Sequence, residues 1–441
     1  MSEPRNLVIC CDGTNNQIAG PATNVRRLYS MLIRDENQIA YYDSGVGTTP
    51  AADFLTSWGR TLGQTLDGAI GLSIRHHMLK AYRFLVTHYQ PGDRIWLFGF
   101  SRGAYTARAL AAALFSFGLL RPELLGLEDL LWENFDRLRG ARRSRTKKHD
   151  TEEDSDLLLD DADEENENDH REKQASRKKT HGKDEANFFH TAAKFRNTFG
   201  RTDDPSWWTG THHCVRIHFC GVWDTVSAFG TFVDEKTLPY TSHCPSLVHV
   251  RHAMALDERR TMFRANLFRF KPKKTKKTVK YLESLKQVWF PGVHSDVGGG
   301  YPQAESQLAK IALEWMVQES EALGLRIDQR KRGEIMNGEK KFVHENGPAA
   351  DPLADAHESL EGLWNAVELM PTRHFDGQKN RERWFLPNFW RPRPILNFDE
   401  NGNEAPPVLH QSVLTRMEGR KDYRPKNVPP AGQYVIEPAP Q

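Results

Sequence analysis

The sequence predicts an α/β protein: a mostly parallel central sheet with helices on both faces, plus one disordered charged insertion. Three observations lead there. Short, continuously apolar runs such as Leu7-Val8-Ile9-Cys10-Cys11 are what strands buried on both faces require. These runs alternate with segments of helical spacing, the order that builds parallel sheets. One run, residues 95–98, enters Gly99-Phe100-Ser101-Arg102-Gly103 and leaves through an Ala-rich segment, a strand–turn–helix junction.

Composition narrows the classes. A chain of 441 residues holds one large domain or two ordinary ones. The formal charge of +2 provides no global field for nucleic acid or an acidic substrate, so no nucleic-acid partner is expected. The five cysteines (Cys10, Cys11, Cys214, Cys220 and Cys244) form neither an even framework nor a C-x-x-C pair. They read as reduced, mostly buried residues of a cytoplasmic protein. The N-terminus lacks a basic stretch followed by an apolar one, so no signal peptide is expected. No apolar run reaches the length of about 18 residues that a membrane span needs.

The elements follow in order. Residues 7–11 make a first strand, closed by the turn cluster Asp12-Gly13-Thr14-Asn15-Asn16. Residues 24–34 carry Val25, Leu28, Tyr29 and Leu32 at helical spacing. Residues 38–42 are a second strand, 62–89 a helix, and Gly92-Asp93 a turn into the strand before Ser101. Residues 102–117, small and apolar, form the next helix. Residues 140–185 mix basic clusters with an acidic run and hold few apolar side chains. Such a segment buries too little surface to offset chain entropy and reads as a disordered insertion within a single domain, 1–441.

Beyond the insertion, 188–199 is helical and 215–220 a strand ending at Gly221-Val222-Trp223-Asp224-Thr225. Residues 247–256 look helical and 266–270 strand-like. The basic loop 271–280 could touch an anionic membrane surface, although a solvated loop is the plainer reading. Residues 286–290 are a strand, followed by Pro291-Gly292-Val293-His294 and the triple glycine 298–300; 304–323 is a helix. In 347–441, Pro, Trp and polar residues dominate, which predicts an irregular wrap or lid with a frayed tail.

The pentapeptide matches a nucleophile elbow. Its glycines let strand and helix pass close to the serine, and the Arg102 N–H at the helix start can hold an oxyanion. A serine hydroxyl needs a base, and the base needs an orienting acid. In α/β-hydrolases these arrive in the order Ser, acid, His, each after a strand. Ser101, Asp224 and His294 satisfy that order. His294 is expected in a flexible loop, with the glycines admitting substrate to the backbone.

Asp224 has two rivals. Asp296 lies close enough to His294 to fix its loop instead, and Asp257 heads a charged cluster suited to ion pairs at a helix end. A second oxyanion donor is expected from the early turn: Gly13 through its N–H, Thr14 through its N–H or hydroxyl. Asp12 belongs to the same substrate-binding set; the plain alternative is an Asx turn closing the strand. Arg102 could grip a phosphate through its fork of donors or make a structural ion pair. The residues ask for neither a metal nor a cofactor.

Taken together, Cys11-Asp12-Gly13-Thr14, Gly99-Phe100-Ser101-Arg102-Gly103-Ala104, Gly221-Val222-Trp223-Asp224-Thr225-Val226 and Phe290 to Tyr301 resemble the catalytic domain of the family-one type VI secretion lipase effectors. Stand-alone bacterial and fungal proteins belong to that family too. The resemblance covers roughly residues 7–323. It implies an α/β-hydrolase fold, the triad Ser101, Asp224 and His294, and phospholipase A-type hydrolysis of a lipid ester, with peripheral membrane contact compatible with that substrate. The alternatives are a small-ester, thioester or polyester hydrolase, or a non-catalytic binding module on the same fold.

Overall fold

The structure is a computed structural model. It describes residues 4–13, 20–45, 60–135, 190–209, 212–213, 215–226, 229–231, 234–236, 241–269, 282–337, 348–361, 365, 372–376, 381–385, 391–399 and 401–439. The predicted insertion at 140–185, the basic loop at 271–280 and Thr14 lie outside the described residues.

Eight strands build the central sheet: β1 (Asn6–Cys11), β2 (Gln38–Asp43), β3 (Arg94–Phe100), β4 (Ile217–Trp223), β5 (Leu247–Ala255), β6 (Ser284–Phe290), β7 (Val408–His410) and β8 (Val435–Glu437). Their order is β8-β7-β6-β5-β4-β3-β1-β2, and every neighbouring pair is parallel. The helices around the sheet include α1 (Asn24–Met31), α2 (Arg60–His88), α3 (Arg102–Phe117), α4 (His294–Gly298), α5 (Gln307–Glu321), α6 (Gln329–Asn337) and α7 (Gln411–Gly419). A separate four-stranded sheet joins Phe229–Thr231, Asp234–Lys236, Thr372–Asp376 and Arg381–Phe385.

The apolar runs become doubly buried strands because the sheet is covered on both faces. In β1, Leu7, Ile9 and Cys11 enter a core shared with α2 and α3. Val8 and Cys10 enter a second core with α1 and α5. The four described cysteines, Cys10, Cys11, Cys220 and Cys244, are free and buried. Among the described residues, no helix is long and apolar enough to cross a membrane.

The sheet reverses its winding at β1, with β2 on one side and β3 on the other. The C-terminal ends of β1 and β3 therefore flank the crevice where open α/β sheets place their ligands. The first turn and the Gly-x-Ser-x-Gly elbow both emerge there.

The structure differs from the sequence-based expectation in several elements. Residues 247–255, expected as helix, are the fully buried strand β5 between β4 and β6. Its Ala, Met and Arg favour helix locally, but two flanking ladders override that preference. Two of its polar residues are paired in place: Arg251 with Glu319, and His249 with the Ser284 hydroxyl. Residues 266–269, expected as strand, join no ladder. Side chains replace it: Gln287 pairs with both the N–H and the carbonyl of Phe268, while Arg108 collects the carbonyls of Asn266 and Leu267. The segment beyond 347, expected to be irregular, adds β7 and β8 to the sheet and α7 beside them.

Candidate active site

Ser101 follows β3 and precedes α3. Its backbone sits at φ 57°, ψ −123°, off every broad allowed region for an L-residue. Asp224, directly after β4, has φ 33°. Among the described residues these two are the non-glycine positions with positive φ. Strain of this kind persists where the surroundings hold it, and it concentrates at functional sites.

The elbow's small residues are forced by contact. A Cβ on Gly99 would lie 2.6 Å from the Ala104 Cα, and one on Gly103 would lie 2.2 Å from the Cys11 carbonyl oxygen. Only glycine lets β3, α3 and the end of β1 meet this closely. The Ser101 N–H donates to the Trp223 carbonyl at 3.2 Å, which ties the elbow to the residue before Asp224.

Asp224 and His294 form a buried hydrogen bond of 2.6 Å between His294 Nδ1 and Asp224 Oδ2. Asp224 Oδ1 also accepts from the Ala255 N–H at 3.0 Å, and its own N–H donates to the Ala253 carbonyl at 2.7 Å. Burial alone would raise this carboxyl. The adjacent Arg393 charge and the His294 hydrogen bond outweigh it and hold Asp224 well below the ordinary carboxylate range. His294 lies below the usual imidazole range, because burial outweighs the pull of Asp224. Its Nε2 is buried and makes no hydrogen bond. The ring is clasped between Phe100, at 4.6 Å, and Phe263, at 4.9 Å. Phe100 is the neighbour of Ser101, so the imidazole sits against the elbow, although no hydrogen bond joins it to the serine.

The expected flexible loop around His294 is instead the first turn of α4. Asp296 accepts from the Val293 N–H at 3.1 Å, and the His294 N–H donates to Glu258 Oε2 at 3.2 Å. Two of the three glycines face protein: a Cβ on Gly298 would strike the Phe100 ring at 1.9 Å, and one on Gly299 would meet the Asn24 nitrogen at 2.7 Å, while one on Gly300 would have only the Ser295 hydroxyl at 3.9 Å. Both rivals of Asp224 hold other partners. Asp296 pairs with His357 at 2.7 Å, and Asp257 accepts from the Gly292 N–H at 2.6 Å and from the Tyr423 hydroxyl. Glu258 is fully buried and paired with Arg260; the cluster does make an ion pair, but after a strand and not at a helix end.

In the early turn, Asp12 Oδ1 accepts from the Gly13 N–H at 2.7 Å, and Oδ2 from the hydroxyls of Thr23 at 2.7 Å and Tyr42 at 2.6 Å. The carboxylate is thus a brace that fixes the turn beside the elbow, and Gly13 spends its N–H on that brace. Arg102 is half-buried at the start of α3, and desolvation pushes its guanidinium down to about 10.

Arg393 was not foreseen. Its Nη1 lies 2.6 Å from Asp224 Oδ1 and its Nη2 3.3 Å from Oδ2. The one available signal is an arginine set between Pro392 and Pro394, too weak to read without the fold.

A parallel sheet with a strained elbow serine at its switch point, beside a buried Asp–His pair, defines a protein of the α/β-hydrolase class. The chain belongs to the family described as T6SS, phospholipase effector Tle1-like, catalytic domain, whose model matches residues 5–319. An uncharacterized protein of Saccharomyces cerevisiae is 30% identical over 276 residues, covering 60% of this chain and 33% of that protein. The chain thus spans about a third of that relative's length. A crystal structure of an uncharacterized protein from Pseudomonas aeruginosa is 18% identical, with a TM-score of 0.38, over 74% of this chain and 47% of the other. The Tle1 effector bound to the VgrG spike of the type 6 secretion system is 12% identical, with a TM-score of 0.36, over 99% of this chain and 94% of the other. The fold assignment rests on the sheet itself and on the family match.

Proposed function

We propose that the protein is a serine hydrolase that cleaves carboxylic esters through an acyl-enzyme, acting as a phospholipase A on phospholipids. The observation that carries this reading is the buried His294–Asp224 hydrogen bond of 2.6 Å, with Nε2 left unpartnered beside the elbow. Ser101 attacks the ester carbonyl while His294 Nε2 takes its proton. Asp224 holds the imidazole in the Nδ1–H tautomer and stabilises the imidazolium that forms. In this reading the Arg102 N–H at the start of α3 receives the oxyanion, beside a turn that Asp12 braces through the Gly13 N–H. His294 then returns the proton to the leaving alcohol and activates water for deacylation. The family description supports the lipid substrate. The half-buried Arg102 guanidinium beside the elbow suits a phosphate headgroup.

Fluorophosphonate labelling tests the nucleophile. The parent chain is expected to label and S101A not to; equal labelling of the two would remove Ser101 from the mechanism. Turnover compared across phospholipid, lysophospholipid, monoacylglycerol and short acyl esters tests the substrate. Preference for a short ester over every phospholipid would replace the phospholipase reading, and turnover of none by the folded chain would favour a binding module.

A further inference from the structure

We infer that Arg393 is a positioning residue of the site and that the C-terminal segment carrying it is part of the catalytic unit. This rests on the triad reading above and extends it beyond the residues matched by the family model, which end at 319.

Four contacts converge on the guanidinium. Besides gripping both Asp224 oxygens at 2.6 and 3.3 Å, Arg393 donates to the Ala255 carbonyl at 3.0 Å and to the Phe263 carbonyl. Arg393 and Asp224 are both buried. The fork therefore links the end of β5, the Phe263 turn against His294 and the acid itself. The segment is anchored from outside: Asn427 donates to the Arg393 carbonyl at 3.0 Å and to the Leu256 carbonyl at 2.9 Å, and the Trp289 indole donates to the Leu396 carbonyl at 3.1 Å.

Two consequences follow from the chemistry. A planar fork fixes a carboxylate's rotation as a point charge cannot, so Oδ2 stays aimed at His294 Nδ1. A countercharge on the acid also weakens the field that would otherwise hold a proton on the imidazole. His294 then stays a free base to lower pH than it would beside an unbalanced carboxylate; the other charges that face it, Glu258 at its N–H and the Arg260 paired with Glu258, are common to parent and variants. A purely structural ion pair would move stability alone.

The experiment is the pH dependence of the fluorophosphonate labelling rate for the full chain, comparing the parent with R393Q and R393K. In R393Q the acidic limb is expected to move up by about one pH unit, so that labelling below the limb slows roughly tenfold. R393K keeps the charge but loses the fork, so the limb is expected to stay while the maximal rate falls severalfold. An unmoved limb in folded R393Q overturns the inference. If R393Q does not fold by circular dichroism, R393K decides: a lowered rate with an unmoved limb supports the inference, and a parental rate or a moved limb overturns it. If neither variant folds, Arg393 is structural and the inference falls. Failure of the triad reading looks different, because the parent then does not label or labels no better than S101A.

Discussion

At the scale of single residues, the site is a set of strained or buried groups held by neighbours that the chemistry does not consume. Ser101 and Asp224 occupy positive φ because strand ladders, tight glycine contacts and the Ser101–Trp223 hydrogen bond hold their backbones. Gly298 is a clear instance of indirect placement: it leaves room for Phe100, which in turn carries one face of His294. G298A is therefore expected to push Phe100 and the imidazole out of register and to reduce kcat roughly tenfold or more, with folding retained. Steady-state kinetics beside a thermal melt would check this; a folded variant with parental kcat would refute it. The base sets a second expectation. In the proposed mechanism His294 must be neutral to accept the serine proton, and burial holds it below the usual imidazole value. The acidic limb of kcat/KM should therefore fall below pH 6.5, the ordinary imidazole pKa, with activity lost as pH drops through it. A limb above 6.5 would contradict the assignment of the base.

At the scale of elements, the site depends on how closely three of them meet. The end of β1, the end of β3 and the start of α3 touch through Gly103, where a Cβ has 2.2 Å to the Cys11 oxygen. G103A is expected to destabilise the chain by about 1–3 kcal/mol, the usual cost of overpacking. A shift in the urea midpoint with an unchanged m-value would register it, and an unmoved midpoint would show the junction to be looser than the contact implies. This junction was legible in the sequence because an elbow is local: the strand, two glycines, serine and helix all lie within residues 95–117. The strand ends after β4 and β6 were legible for the same reason, and they led to Asp224 and His294. β5 was not, because nine residues of mixed propensity are made a strand only by the neighbours on both sides. β7 and β8 were not either; each is three residues long, too short for periodicity to mark.

At the scale of the whole molecule, the buried ionisable groups set an acid dependence. Burial drives His252 down to about 3, and His218 and His410 to about 4, all below the usual 6.5. Between the folded and unfolded values the unfolded chain binds more protons, so the stability these three histidines contribute is complete above pH 6.5 and declines as pH falls. Glu258, depressed to about 2 because its pair with Arg260 outweighs burial, extends the loss below pH 4.5. Asp257 opposes this from pH 3.8 to 6, since burial raises it to about 6, and His357, raised by its hydrogen bond to Asp296, opposes it above pH 6.5, but these are two groups against several. Urea unfolding from pH 7 to 4 should show a falling midpoint. A flat or rising profile would mean that the histidines are not held neutral by the fold.

The sequence by itself determined the α/β class, the elbow motif and the family, and it put Ser101, Asp224 and His294 forward as candidates. Each is encoded in short contiguous patterns whose physics is local: alternation, turn chemistry and glycine at a tight crossing. Only the tertiary structure decided what completes the acid. Arg393 stands 169 residues from Asp224 along the chain, and nothing near it in sequence speaks of a carboxylate. The two meet because the last strands join the sheet beyond β6 and carry the intervening segment over the end of β5. A buried charge must find its partner wherever the fold brings one, and that pairing is a property of the assembled sheet.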